Sequence, residues 1–253
     1  MIKIIAAENV LEVGKCAADV VTEVLKNKSD AVLGLATGSS PIEMYKELIR
    51  RCEAGEISFK NVKTVNLDEY VGLEPTHDQS YAYFMSDNLF DHVDIDKKNT
   101  NLPSGLASDP DAECARYDAV VDSMGGVDLQ VLGIGNNGHI GFNEPDVAFS
   151  KGTGLVDLTD STIDANARFF EKREDVPTQA LSMGVGQIMN AEKILLIALG
   201  KGKAEILEKS LFGDVTPAVP ASILQFFKGE VVVCADEEAL SVILEKHPEA
   251  VTK

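Results

Sequence analysis

Positive charge is what this chain has least of: 23 Lys and Arg stand against 41 Asp and Glu, a formal net charge of -18. Nucleic acids and anionic membrane surfaces are held by clustered cations, so neither is expected as a partner. A small anionic substrate stays open wherever a few cations converge. Cysteine is scarce as well. Cys16, Cys52, Cys114 and Cys234 form no C-x-x-C pair and no His/Cys group at zinc spacing, so no metal site is expected and they read as small buried hydrophobes in a reducing cytosol. No apolar run nears the ~20 residues of a membrane-spanning helix, and MIKIIAAENV lacks the apolar segment and cleavage site of a signal peptide. A cytoplasmic location is the expectation. Repeats, low-complexity tracts and Pro/Ser-rich linkers are missing too. The 253 residues, 45% apolar, suffice for one sizeable core, and a single domain over 1–253 is expected.

What is present is a rhythm of short apolar runs. IKIIAA, AVLGLAT, VKTVNL, VDLQVLGIG, KILLIALG and EVVVCA have strand length and are too uniformly apolar for one face to meet water, as in a parallel sheet covered on both sides. Helical spacing fills the intervals. Val13, Ala17, Val20, Val21 and Val24 fall on one helical face, and Ile42, Tyr45, Leu48, Ile49 and Cys52 on another. Alternating strands and helices predict an α/β three-layer fold with a mainly parallel sheet. From Asp146 to Pro177 the rhythm is lost, as in an active-site flap or a plain surface excursion.

Ligands of open parallel sheets bind beyond the carboxyl ends of strands, and four such ends carry chemistry. After AVLGLA comes Thr37-Gly38-Ser39-Ser40-Pro41, where Gly38 allows close backbone approach and hydroxyls precede a helix. This is a phosphate cradle or a serine helix cap. After VKTV comes Asn66-Leu67-Asp68-Glu69-Tyr70, whose adjacent acids suit catalysis or the capping of a turn. The third end, Gly133-Ile134-Gly135-Asn136-Asn137-Gly138-His139, contains a literal G-x-G-x-x-G. A dinucleotide fingerprint needs a long helix at once, and Gly141 and Pro145 stand against one, which leaves His139 as the point of the loop. A histidine held by glycines at a strand end can transfer protons near neutral pH, with Glu144 close enough to orient it. The fourth end, Leu199-Gly200-Lys201-Gly202-Lys203, offers a cation at a helix start, for a phosphate or for water.

In combination, LATGSSP (35–41), FKNVKTVNLDEYVGL (59–73), SYAYFM (80–85), FDHVDI (90–95), GIGNNGHIGFNEP (133–145), ANARFF (165–170), ALSMGVG (180–186) and LGKGKA (199–204) resemble the glucosamine-6-phosphate deaminase family, in order along about four fifths of the chain. The resemblance implies a modified Rossmann-like fold similar to ribose-phosphate isomerase. It also implies conversion of glucosamine 6-phosphate and water to fructose 6-phosphate and ammonia, in the catabolism of amino sugars and N-acetylglucosamine. It places the enolisation base at Asp68, the ring-opening histidine at His139 and its orienting acid at Glu144. The phosphate site falls at Thr37, Gly38, Ser39 and Ser40 with Arg168 and Lys203, and a lid at about 157–178. Many members carry Asp two residues before the histidine. Here Asn137 stands there, a participant in ring opening by its position, which can hydrogen-bond the imidazole but adds no charge. No step calls for a metal or redox cofactor, and none is expected. The partner is a small sugar phosphate, and self-association has no readable pattern. The nearest alternatives are a 6-phosphogluconolactonase or another sugar-phosphate isomerase on the same fold, and a non-catalytic sugar-phosphate sensor, which would be expected to lose Asp68 or His139. Longer hexameric members are activated by N-acetylglucosamine 6-phosphate through a basic pair. The matching positions here are Gly154 and Val156, with Lys151 nearby, and the chain ends soon after Ala235. Kinetics without activation are therefore expected.

Overall fold

A computed structural model describes residues 1–252. Its strands are β1 (Ile2–Ala7), β2 (Val32–Leu35), β3 (Lys63–Asn66), β4 (Asp68–Tyr70), β5 (Thr100–Asn101), β6 (Leu129–Leu132), β7 (Gly154–Asp157), β8 (Gln179–Ser182), β9 (Lys193–Ala198), β10 (Glu230–Asp236) and β11 (Val251–Thr252). Eight of them form one parallel sheet in the order β11-β1-β10-β9-β6-β2-β3-β5. The six apolar runs of the sequence are all in it, shortened where the chain leaves the sheet to build loops. Val32, Leu33, Leu35, Leu129, Val131, Leu132, Ile194 and Leu195 are all buried, which only a sheet covered on both faces allows.

The helices are α1 (Val10–Asn27), α2 (Ile42–Glu53), α3 (Tyr81–Met85), α4 (Pro110–Ser123), α5 (Asp160–Asn166), α6 (Val185–Ile188), α7 (Ala204–Phe212) and α8 (Ser241–Lys246). The expected face of α1 buries Val13, Ala17, Val20 and Val21, and that of α2 buries Tyr45 and Leu48. The remaining members of the two stripes, Val24, Ile42, Ile49 and Cys52, lie at their half-buried margins. Asn9 caps α1 by accepting from Leu11 and Glu12 backbone N–H groups. No helix among the described residues is long and apolar enough to cross a membrane.

Three observations correct the sequence reading. A second, antiparallel sheet of β4, β8 and β7 lies outside the parallel one. The stretch Asp146 to Pro177 is less irregular than its composition implies, since it contributes β7 and α5. Cys16 and Cys234 are joined as a disulfide, with 6.3 Å between their Cα atoms. They stand 218 residues apart in sequence, and only the packing of α1 against β10 brings them together. Cys52 and Cys114 are free.

Candidate active site

Strands β9, β6, β2 and β3 are consecutive neighbours in the sheet, so the four sequence segments that follow them emerge side by side. They enclose a cavity of about 380 Å³, lined by Thr37, Gly38, Ser39 and Ser40, by Asp68, by Asn136, Asn137 and His139, and by Arg168 and Lys203. That volume suits a small ligand.

The loop after β2 is free of the duty that would have explained it without a ligand. The N-cap of α2 is Pro41, and no side chain caps that helix, so the hydroxyls of Thr37, Ser39 and Ser40 are not spent on it. Gly38 turns the loop at φ +85°, a region that favours glycine. Two cations line the same cavity as this loop. Lys203 Nζ donates to Asn136 Oδ1 at 2.6 Å, and Arg168 Nη2 reaches Ser39 Oγ at 3.5 Å, the outer limit of a hydrogen bond. Burial, with the Arg168 charge nearby, pushes the Lys203 ammonium below its ordinary range. A bound phosphate would relieve both effects.

The two adjacent acids separate cleanly. Strand alternation turns Asp68 into the cavity, whereas Glu69 accepts hydrogen bonds from the backbone N–H groups of Tyr70, Tyr81 and Ala82, each at 2.9 Å, and so anchors the start of α3. Burial, with the charge of Glu69 adding to it, pushes the Asp68 carboxyl up to about 8. A carboxylate so destabilised is a strong base for its kind.

No long helix follows Gly138. The chain instead makes a tight turn, with Gly135 N donating to His139 O and Gly138 N to Gly135 O. The imidazole lies directly against Gly135, where a Cβ would come within 2.3 Å of the ring. Glu144 sits behind His139 rather than in the cavity wall, with Oε2 3.5 Å from His139 Nδ1. This is a contact at ion-pair distance, since Nδ1 has no aligned hydrogen-bond partner. Asn137 Nδ2 donates to the same Glu144 oxygen at 2.6 Å, and Asn137 Oδ1 accepts from His139 N at 3.2 Å. Burial alone would raise the Glu144 carboxyl. His139 beside it, with Thr162 and Asn137 donating, more than offsets that and holds it at about 2.

A sequence profile described as glucosamine-6-phosphate isomerases/6-phosphogluconolactonase matches residues 6–233. The chain belongs to this family. A glucosamine-6-phosphate deaminase of Lachnoclostridium phytofermentans is 55% identical over 235 residues, covering 93% of this chain and 100% of that one. One of Clostridium perfringens is 52% identical over 241 residues, covering 95% and 99%. A solved structure described as a monomeric glucosamine-6-phosphate deaminase superposes with a TM-score of 0.92 at 43% identity, covering 95% and 99%.

Within this cavity, sequence reasoning overlooked three residues. Asn136 holds Lys203. Tyr81 lines the cavity and stacks on Phe142 with 6.0 Å between ring centroids. Thr162 donates its hydroxyl proton to Glu144 Oε1. Tyr81 stands in the SYAYFM stretch and was legible as a family match. Asn136 likewise stands in the GIGNNGHIGFNEP stretch, and only Thr162 has no local mark.

Proposed function

We propose that the protein is a glucosamine-6-phosphate deaminase that works with side chains alone, residues 1–253 acting as one catalytic domain. The observation that carries this reading is the meeting of a buried, proton-avid Asp68 with His139 in a cavity that also holds two cations. Family membership and relatives at half identity over nearly the whole chain support it.

The substrate arrives as a closed pyranose carrying a dianionic phosphate. Thr37, Gly38, Ser39, Ser40, Arg168 and Lys203 bind the phosphate, and this remote binding holds the reacting carbons in place. His139, oriented by Glu144 and Asn137, transfers a proton between the O1 hydroxyl and the ring oxygen O5, opening the ring. Asp68 then removes the C2 proton, which the adjacent carbonyl has acidified, and returns it at C1. The resulting C2 imine takes up water and releases ammonia, leaving fructose 6-phosphate. Asn137 contributes orientation without charge. Residues 157–178 act as the lid, a reading supported by Ser161, Thr162 and Arg168, which reach the cavity from that segment. The net charge of -18 argues against nucleic acid or an anionic membrane as the partner, while the convergence of Arg168 and Lys203 on the cavity favours a small sugar phosphate.

Parallel assays separate this reaction from lactone hydrolysis within the family. Purified protein is expected to release ammonia from glucosamine 6-phosphate and to leave the spontaneous hydrolysis of 6-phosphogluconolactone unchanged. Accelerated lactone hydrolysis without ammonia would replace the reading.

Lys203→Met is expected to raise KM for glucosamine 6-phosphate by about ten- to a hundredfold, the loss of one charge-assisted phosphate contact, with a smaller change in kcat. Steady-state kinetics check it, and an unchanged KM would remove Lys203 from the phosphate site.

Gly154 and Val156 lie on β7 and offer no cation to an effector phosphate. Lys151, a single flexible ammonium, lacks the bidentate geometry of arginine. Rate against substrate is expected to be hyperbolic and insensitive to saturating N-acetylglucosamine 6-phosphate. A sigmoidal curve made hyperbolic by that sugar would reveal an activating site elsewhere.

A further inference from the structure

The Glu144 carboxylate is held from two sides. Its Oε2 meets Asn137 and His139, both in the loop after β6. Its Oε1 accepts from the hydroxyl of Thr162, which comes from α5 in the separate segment 157–178. Thr162 is 4% exposed, so the contact is shielded from competing water. A threonine near the start of a helix commonly spends its hydroxyl on the local backbone. Here Thr159 takes that role: it is the N-cap of α5, and its own hydroxyl donates to Thr162 Oγ1 at 3.2 Å. The one hydroxyl proton of Thr162 is thereby directed to Glu144.

Two further features tie this contact to the catalytic loop. A carboxylate turns about a single bond, so fixing Oε1 also fixes where Oε2 stands relative to the imidazole. The helix that carries Thr162 is seated by Ile163, which is buried with Tyr70, Phe142, Leu158, Val176 and Ala180 in a small core of its own. Phe142 belongs to the same loop as His139 and Glu144, and its backbone N–H donates to Ser182 Oγ at 2.9 Å. The segment and the loop therefore share one apolar anchor and one hydroxyl-carboxylate contact.

We propose that Thr162 is a positioning residue for ring opening: its hydroxyl holds Glu144 in line with His139, so the imidazole is set when the segment carrying Thr162 is seated. This rests on the deamination reading above. It gives the lid a part in proton transfer besides covering the substrate. Thr162 lines the cavity but hydrogen-bonds Glu144 and neither the phosphate cations nor Asp68, so its contribution is expected in kcat more than in KM.

The test is steady-state kinetics on glucosamine 6-phosphate with Thr162→Val, which keeps the shape and removes the donor, and Thr162→Ser, which keeps the donor. Thr162→Ala is measured beside them, so that the outcome does not hang on one variant folding. The Val and Ala variants are expected to lose about ten- to a hundredfold in kcat, the usual range for one hydrogen bond to a charged group, with KM within about twofold of wild type. The Ser variant is expected to recover most of the loss. Val and Ala variants with wild-type kcat, a Ser variant as slow as the Val one, or a loss expressed in KM alone would overturn the proposal. A wild-type protein that releases no ammonia would instead remove the reading on which it rests.

Discussion

Asp68→Asn is expected to lower kcat for deamination by about a thousandfold or more, near the upper end of what a positioned general base contributes. The amide keeps the size and loses the basicity, and the phosphate contacts stand on other residues. Substrate affinity should therefore stay within about tenfold of wild type. Exchange of the C2 proton with solvent, followed by NMR in deuterated water, isolates the step. It is expected to vanish in the variant, and exchange at the wild-type rate would take the role from Asp68. The same residue sets a pH dependence. Its carboxyl is pushed up to about 8 by burial and by Glu69, and only the ionised form accepts a proton. In the free enzyme kcat/KM is therefore expected to rise as pH increases through that value and to flatten above it. Glu69→Gln removes the like charge and is expected to move the rise to lower pH.

His139→Gln is expected to cost about a hundred- to a thousandfold in kcat on the closed-ring substrate, because the O1 to O5 proton transfer loses its carrier. Glutamine retains hydrogen-bonding capacity but has no titrating group near neutral pH. On an analogue blocked at the ring-closing hydroxyls, which stays open-chain, the loss should shrink to within about tenfold, since Asp68 still acts on C2. Equal losses on both substrates would mean that His139 serves a step after ring opening.

How much of this was legible depended on whether the signal is local. Uniform apolarity is local, and all six runs became strands of the parallel sheet. Loop chemistry is local too, and the segments after β2, β3, β6 and β9 line one cavity because their strands are neighbours. The second sheet was not legible. Its strands have three or four residues, and Asp68 pairs with Ser182 while Gly154 pairs with that same Ser182; no periodicity survives over so short a span. The division of labour between Asp68 and Glu69 needed the direction of each side chain. The Cys16–Cys234 disulfide and the Thr162–Glu144 contact needed tertiary packing, which brings together residues whose immediate neighbours carry no sign of it.

The products formed from glucosamine 6-phosphate identify the reaction most directly. Wild-type protein incubated with glucosamine 6-phosphate in the presence of a metal chelator is predicted to release ammonia and fructose 6-phosphate in equal amounts, at the same rate as without chelator. Tight binding of the sugar with neither product formed would contradict it and point to a sugar-phosphate sensor.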